Sequence, residues 1–185
     1  MKIAAILTAI IFALSGCALV PRSAAPAHIS MEKDGVDYVV LTRGFGGSVR
    51  KKNAYYKKLG ASGKQVVIDG VMMSMDAFGA FSLPGACYTA NAGFSPHATS
   101  ILGLIPTYGT TKRLTEKLPA PLRDWFANSG WRYNWVMFPS VNYPQLREMW
   151  PEGACHHSIK AKLRPDGWGY GYSKNTRFHG NEFVN

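Results

Sequence analysis

Residues 64–81, KQVVIDGVMMSMDAFGAF, decide the fold of this chain. The first six residues form a short apolar and β-branched run that is typical of a buried strand, and Gly70 closes it. An apolar segment rich in Ala and Met follows over 73–81 and predicts a buried helix. A strand, a turn and a helix in this order indicate an α/β unit, with Ser74 near the start of the helix.

The same alternation extends to both sides of this segment. DYVVLT and ACYT read as strands, and an amphipathic helix ended by Gly60 lies between the first two strands. The alternation predicts an α/β domain with a mostly parallel sheet. The predicted elements are strands over 37–42, 64–69 and 86–89 and helices over 49–59, 73–81, 119–129 and 143–149.

Two of these helices have a clear polar or apolar face. In the helix over 119–129, Leu122, Trp125 and Phe126 share one face behind a proline start. In the helix over 49–59, the pairs of lysines at 51–52 and 57–58 predict one solvated face.

The amino terminus resembles the signal peptide of a bacterial lipoprotein. Lys2 precedes an apolar run over 3–14, which is shorter than the roughly 20 residues that span a bilayer but suits a signal peptide. The run ends in LSGC (14–17), which resembles the lipobox at which the cysteine is acylated before cleavage. Residues 1–16 are therefore the predicted signal peptide, and Cys17 is the predicted lipid attachment site and membrane contact.

The residue after the lipobox predicts the membrane to which the protein is sorted. Ala18, rather than an acidic residue, follows Cys17, which resembles outer-membrane sorting in Gram-negative bacteria. The expected location is the bacterial cell envelope, on the outer membrane facing the periplasm. The Pro/Ala/Ser-rich segment over 17–30 is a predicted tether, the domain is expected over 31–165, and 166–185 is a predicted irregular basic and aromatic tail.

The charge of the chain favours anionic neighbours. Lys and Arg number 21 against 11 Asp and Glu, a formal net charge of +10, and the predicted leader removes only Lys2. Phospholipid headgroups, acidic glycans or other polyanions suit such a surface. Nucleic acid is not an expected partner, because the chain has no arginine-rich run or RNA-binding signature.

Two cysteines remain after Cys17. Outside the cytoplasm, Cys87 and Cys155 are expected to form a disulfide worth about 3–5 kcal/mol. The chain has no CxxC motif, and the pair His156-His157 is read as incidental, so neither a metal nor a cofactor is expected.

Three features have the order that a serine hydrolase requires. A Gly-Gly turn at Gly46-Gly47 comes first, Ser74 follows at a strand-to-helix junction, and His97 comes after the next strand. Such an enzyme needs an exposed nucleophile on a sharp turn, backbone N–H groups facing the oxyanion, and a base within reach of the hydroxyl.

These motifs resemble the Clp-type serine peptidases of the Clp/crotonase superfamily, and more closely their small periplasmic relatives. GGSV (46–49) is similar to the glycine loop of that family, SMDAF (74–78) to its nucleophile segment and His97 to its base, and the match covers about 38–100. The resemblance implies a single domain of repeated β-β-α or β-α units. It also implies Ser74 as nucleophile, His97 as general base, and the N–H groups of Gly47 and Met75 as the oxyanion hole.

The chain departs from the family at several positions. Phe45 replaces the proline before the glycine loop, and Pro96 directly precedes His97. Asp76 places a negative charge near the site that should stabilise an oxyanion, and this charge would oppose catalysis unless it points away or pairs with a base such as Arg43. No segment matches the third triad residue of the family. Position alone makes Asp124, Asn142 and Glu148 candidates.

Two functions therefore stay open. The first is a membrane-anchored, ATP-independent serine peptidase or acyl hydrolase acting on a peptide or envelope protein. The second is a catalytically degenerate Clp-like lipoprotein that binds an envelope partner. Related families form rings or trimers, so a homo-oligomer is compatible with either.

Overall fold

A computed structural model describes residues 25–101, 105–129 and 141–156 of the chain. The strands are β1 (Ala27–Lys33), β2 (Val36–Arg43), β3 (Gln65–Ile68), β4 (Val71–Met73), β5 (Cys87–Tyr88), β6 (Gly93–Ser95), β7 (Ser100–Ile101) and β8 (Ile105–Pro106). The helices are α1 (Val49–Gly60), α2 (Met75–Phe81), α3 (Tyr108–Thr115), α4 (Ala120–Asn128), α5 (Tyr143–Met149) and a 3₁₀ turn (Pro151–Gly153).

The fold is mixed α/β with a mostly parallel sheet, as predicted. The larger sheet has the order β1-β2-β3-β5, in which only the β1–β2 pair is antiparallel. A smaller sheet pairs β4 with β6 in parallel, and a bridge from Gly44 to Met72 adds the end of β2 to it. Segments 65–73 and 87–95 therefore each contribute one strand to the larger sheet and the next to the smaller.

Burial explains why the central strands are continuously apolar. Val39, Leu41 and Ile68 face the main core beneath α1 and α2, whereas Val40 and Val67 join a second buried cluster on the opposite face. Parallel strands covered on both faces have this composition because neither face meets water.

Several predicted elements are confirmed. Helix α1 begins after Ser48, whose hydroxyl accepts from the N–H of Lys51, and it ends at Gly60. Helix α5 has the predicted bounds, and its Asn142 cap and Gln145 form a reciprocal capping box. In α4, Leu122 and Phe126 are fully buried, as the predicted apolar face requires.

The predicted disulfide is present. Cys87 at the start of β5 is bonded to Cys155, and their Cα atoms are 4.7 Å apart. The N–H of Cys155 also donates to the carbonyl of Tyr88, so the bridge and a backbone hydrogen bond hold the same two segments together. The two half-cystines are 68 residues apart, so the bond removes much freedom from the unfolded chain.

Other elements differ from the prediction. Strand β1 begins at Ala27, so the last residues assigned to the tether pair with β2. The helix expected over 73–81 begins at Met75, because 71–73 form β4 beside β6. Helix α3 was not predicted, since its sequence YGTTKRLT is polar and rich in β-branched residues.

The predicted signal peptide, Cys17 and the predicted tail lie outside the described residues. Within the described ranges, none of the helices has the length and apolar character needed to cross a membrane.

Replacing both half-cystines, Cys87→Ala with Cys155→Ala, should lower the free energy of unfolding by about 4 kcal/mol, because the unfolded chain regains the closed loop. Denaturant unfolding measures the loss. Reducing agent should lower the stability of the unsubstituted chain by a similar amount and leave the double variant unchanged. Equal free energies of unfolding for the double variant and the unsubstituted chain, both measured without reducing agent, would contradict the expectation.

Candidate functional site

Ser74 has an unusual backbone conformation between β4 and α2. Its φ is +54° and its ψ is −127°, a region that is almost restricted to glycine. Asp34 is the other non-glycine residue with positive φ in the described part of the chain, and it lies in the tight turn between β1 and β2. Ser74 therefore lies on the sharp strand-to-helix turn that the hydrolase interpretation predicted.

Neighbouring hydrogen bonds hold this strained turn in place. The N–H of Ser74 donates to the carbonyl of Ser95 at 2.8 Å, and the N–H of Met73 donates to the carbonyl of Gly44 at 2.8 Å. Such a conformation costs about 1–3 kcal/mol and persists only where surrounding structure enforces it. The Ser74 hydroxyl does not cap α2, and the side chain is partly exposed.

The glycine loop packs directly against the beginning of α2. A Cβ atom on Gly46 would lie 2.7 Å from the Ser74 hydroxyl oxygen, and one on Gly44 would lie 2.5 Å from the Cβ of Asp76. Gly46 and Gly47 both have positive φ, at 75° and 124°. Only residues without a side chain allow the loop to approach Ser74 this closely.

Asp76 connects this loop to helix α1. Its carboxylate is fully buried and accepts hydrogen bonds from the N–H of Gly46 at 2.9 Å, the ammonium of Lys52 at 2.8 Å and the hydroxyl of Tyr56 at 2.8 Å. Three donors, one of them charged, compensate for the loss of water around the carboxylate. The predicted partner Arg43 instead lies over the ring of Phe45, 4.5 Å from its centroid.

The network corrects the expectation for Lys52 and supplies a basic partner for Asp76. Lys52 was predicted on a solvated face, but its side chain is 3 % exposed and its charge is paired inside the protein. The carboxylate of Asp76 pairs with a base, which is Lys52 rather than Arg43, and it also accepts from Gly46 and Tyr56. Burial, and then the negative charge of Asp76, raises the pKa of Tyr56 well above its ordinary value, so this hydroxyl remains a donor at neutral pH.

His97 lies in a buried segment directly after β6. Its ring Nδ1 is 2.7 Å from the carbonyl oxygen of Ala98, which can only accept, so Nδ1 carries the hydrogen. Burial lowers the pKa of His97 below its ordinary value, against a smaller opposing effect of this hydrogen bond. A neutral ring with its hydrogen on Nδ1 leaves Nε2 as the basic nitrogen, the form required of a general base.

The sheet brings Ser74 and His97 to neighbouring chain segments. Met73 is opposite Ser95 in the β4–β6 register, so Ser74 and His97 follow the same ends of adjacent parallel strands. Within the described residues, no hydrogen bond joins the Ser74 hydroxyl to the imidazole. The backbone therefore places the segments that carry Ser74 and His97 next to each other, without a hydrogen bond between the two side chains.

A cluster of threonines fixes the chain after His97. The N–H of Thr99 donates to the hydroxyl of Thr111 at 2.8 Å, and the hydroxyl of Thr99 is 2.6 Å from that of Thr107. These bonds connect the histidine segment to the first turns of α3. The cluster was missed from the sequence because Thr107 and Thr111 lie at the start of a helix that was not predicted.

Side chains at the ends of two strands of the larger sheet are hydrogen bonded to each other. Asp69 follows β3 and Thr89 follows β5, and the Thr89 hydroxyl donates to the Asp69 carboxylate. The side-chain amide of Asn91 donates to the same oxygen at 3.2 Å. The three side chains tie together the ends of two adjacent parallel strands.

Two candidates for a third triad residue have other contacts, and the third is exposed. Asp124 pairs with Arg123 and is 63 % exposed, Asn142 caps α5, and Glu148 is exposed on that helix. The carbonyl of Ala98 is the acceptor found at His97 Nδ1. Within the described ranges, no group of three or more His, Cys, Asp or Glu side chains is arranged to bind a metal.

The chain matches no family model, no curated protein and no solved structure. The Clp-like resemblance of the glycine loop, the Ser74 segment and His97 therefore stays a prediction.

Asp76→Asn should lower the free energy of unfolding by about 3–5 kcal/mol, because it leaves the buried ammonium of Lys52 without a negative partner. Tyr56→Phe, which removes one neutral donor, should cost about 1–2 kcal/mol. The control is Lys64→Gln, which breaks an exposed ion pair with Asp37 and should cost less than about 1 kcal/mol. Denaturant unfolding separates these cases, and an effect of Asp76→Asn no larger than the control would contradict the buried network.

Gly46→Ala should destabilise the protein more than Gly63→Ala, although both glycines have nearly the same positive φ, 75° and 72°. A Cβ on Gly63 meets nothing within 4 Å, so that variant measures the conformational cost alone, about 1 kcal/mol. The added Cβ on Gly46 collides with Ser74 and should cost about 1–3 kcal/mol more. Thermal unfolding of the two variants measures this difference, and equal losses would show that the loop does not pack on Ser74.

Proposed function

We propose that this chain is a Clp-like, ATP-independent serine hydrolase of the bacterial envelope, anchored through Cys17, with Ser74 as nucleophile and His97 as base. The observation that carries the proposal is the positive φ of Ser74 on the turn from β4 to α2. Strained conformations of this kind cluster at catalytic nucleophiles, because the turn exposes the hydroxyl above the start of a helix.

The arrangement of the sheets supports the Clp-like part of the proposal. Repeated β-β-α units are what the resemblance implies, and β3, β4 and α2 have that order. Strands β5 and β6 follow the same pattern as β3 and β4, because the first of each pair lies in the larger sheet and the second in the smaller sheet. The glycine loop then lies beside the serine because Gly44 pairs with Met72.

The reaction would proceed by acyl transfer. The Ser74 oxygen attacks a carbonyl carbon while Nε2 of His97 takes the hydroxyl proton, and that proton then passes to the leaving amine or alkoxide. Water attacks the acyl-serine with the same base, which releases the acid and restores the serine. Ala98 keeps the ring in the tautomer that this exchange needs, in the position where other hydrolases use a carboxylate.

The oxyanion would be stabilised by backbone donors around the serine. Met75 is the first residue of α2, and the first N–H groups of a helix have no partner within it. The N–H of Gly46 donates to Asp76, so the loop donor is Gly47, as the resemblance implies. Asp76 thus acts as a positioning residue that fixes the loop.

The alternative is a catalytically degenerate Clp-like lipoprotein that binds an envelope protein. Two observations favour it: Gly46 packs closely on the Ser74 hydroxyl, and this hydroxyl is not hydrogen bonded to His97. Catalytic contacts often form only with bound substrate, so both observations are also compatible with a resting hydrolase. The two functions differ in whether Ser74 reacts.

A fluorophosphonate probe should label the chain, and Ser74→Ala should abolish the labelling, whereas Ser30→Ala on the exposed face of β1 should not change it. His97→Gln should slow labelling by about 10²–10⁴-fold. The rate should fall as the pH drops through the lowered pKa of His97, because only the neutral ring accepts the proton, with a midpoint below that of an ordinary histidine. No labelling of the folded chain would favour the binding protein.

A further inference from the structure

Helix α1 has a cationic face, defined here as Arg50, Lys51, Lys57 and Lys58. All four side chains are exposed, whereas Lys52 and Leu59 on the other side of the helix are buried. Positions i, i+1, i+7 and i+8 share one face of a helix with 3.6 residues per turn. The helix contains no acidic residue, so no opposite charge interrupts this face.

Ion pairing does not account for these cations, and the helix dipole favours only Lys57 and Lys58, which lie in the last turn. The ion pairs of the described residues are Lys52–Asp76, Lys64–Asp37 and Arg123–Asp124, and none uses the cationic face. Arg50 and Lys51 lie in the first turn, where the helix dipole disfavours positive charge. A local rule broken in this way is typical of a residue that serves a function.

The chain enters the described domain beside this helix. The ring of His28 in β1 is 6.4 Å from the ring of Tyr55 in α1, and Ala27 is opposite Arg43. Cys17 precedes Ala27 by ten residues, which span at most about 35 Å when fully extended. An acyl chain on Cys17 would therefore keep α1 close to the lipid surface.

We propose that the cationic face of α1 docks on an anionic lipid surface. Each lysine or arginine near such a surface gains attraction from the headgroups, and the excess of Lys and Arg over Asp and Glu in the rest of the chain adds to it. Phe45, 47 % exposed on the loop before the helix, supplies an aromatic ring suited to the interface between headgroups and acyl chains. The docking gains from the proposed anchor at Cys17 and does not depend on the chemistry of Ser74.

Docking would also bring the candidate site close to the membrane surface. The glycine loop leads directly into α1 through Ser48, and Gly46 packs against Ser74. A docked domain therefore holds this loop near the headgroups. Given the proposed hydrolase, its substrates are acyl groups presented at the membrane, such as membrane-bound peptides or lipids.

The test compares lysine reactivity on two membranes. The full chain with its own amino terminus is bound to vesicles of phosphatidylcholine or of an equimolar mixture with phosphatidylglycerol, and labelling of each lysine by an amine-reactive reagent is followed by mass spectrometry. Labelling of Lys51, Lys57 and Lys58 should be about fivefold slower on the anionic vesicles. Exposed Lys112 and Lys117 should change little, and high salt should remove the difference.

Charge-reversed variants provide the matched control. Lys57→Glu with Lys58→Glu should abolish the protection of Lys51, whereas Lys112→Glu with Lys117→Glu, an equal change in net charge, should preserve it. Equal labelling on both membranes, or equal protection of Lys112 and Lys117, would overturn the proposal. Protection by a DNA duplex in the absence of anionic lipid would assign the face to nucleic acid instead.

The outcome is independent of catalysis. Fluorophosphonate labelling reports Ser74, and the mass of the peptide that contains Cys17 reports lipidation. A chain without the lipid can be added to the same vesicles, where the cationic face should still give the difference in lysine labelling.

Discussion

The buried carboxylate of Asp76 is the interaction on which the candidate site depends. Asp76 lies two residues after Ser74, and its carboxylate joins Lys52 and Tyr56 of α1 to the N–H of Gly46. An unpaired charge at this depth would be too costly, so the helix, the loop and the beginning of α2 must keep their relative positions. The strained turn at Ser74 forms within this fixed frame.

The fold itself, rather than a bound substrate, sets the backbone conformation of Ser74 and the tautomer of His97. Ser74 is held by the carbonyl of Ser95, and His97 by the carbonyl of Ala98. Energy stored in such a turn is tolerated where surrounding contacts enforce it, at a cost to overall stability. The same glycine loop continues into α1, so the site and the proposed membrane face share one rigid connection.

The sequence predicted those secondary-structure elements that depend on interactions between residues close together in the chain. The apolar run over 64–69, the proline start of α4 and the capping residues of α5 predicted elements that the structure confirms. The pairing of Cys87 with Cys155 was also predictable, since two thiols in one domain tend to bond outside the cytoplasm, which is the location that the predicted signal peptide implies. Strands β4 and β6 were missed because three residues in a strand carry too little periodicity to recognise.

The sequence by itself determined the α/β alternation, the disulfide and the order of the glycine loop, Ser74 and His97, because composition and spacing express these directly. Only the tertiary structure decided that Lys52 is buried, that Asp76 holds the loop and that Ser74 adopts positive φ. Those features depend on contacts between residues about 20–30 positions apart in the chain, and lysine on an amphipathic helix is ordinarily exposed. Burial of a charge pair is a property of packing, and no local pattern encodes it.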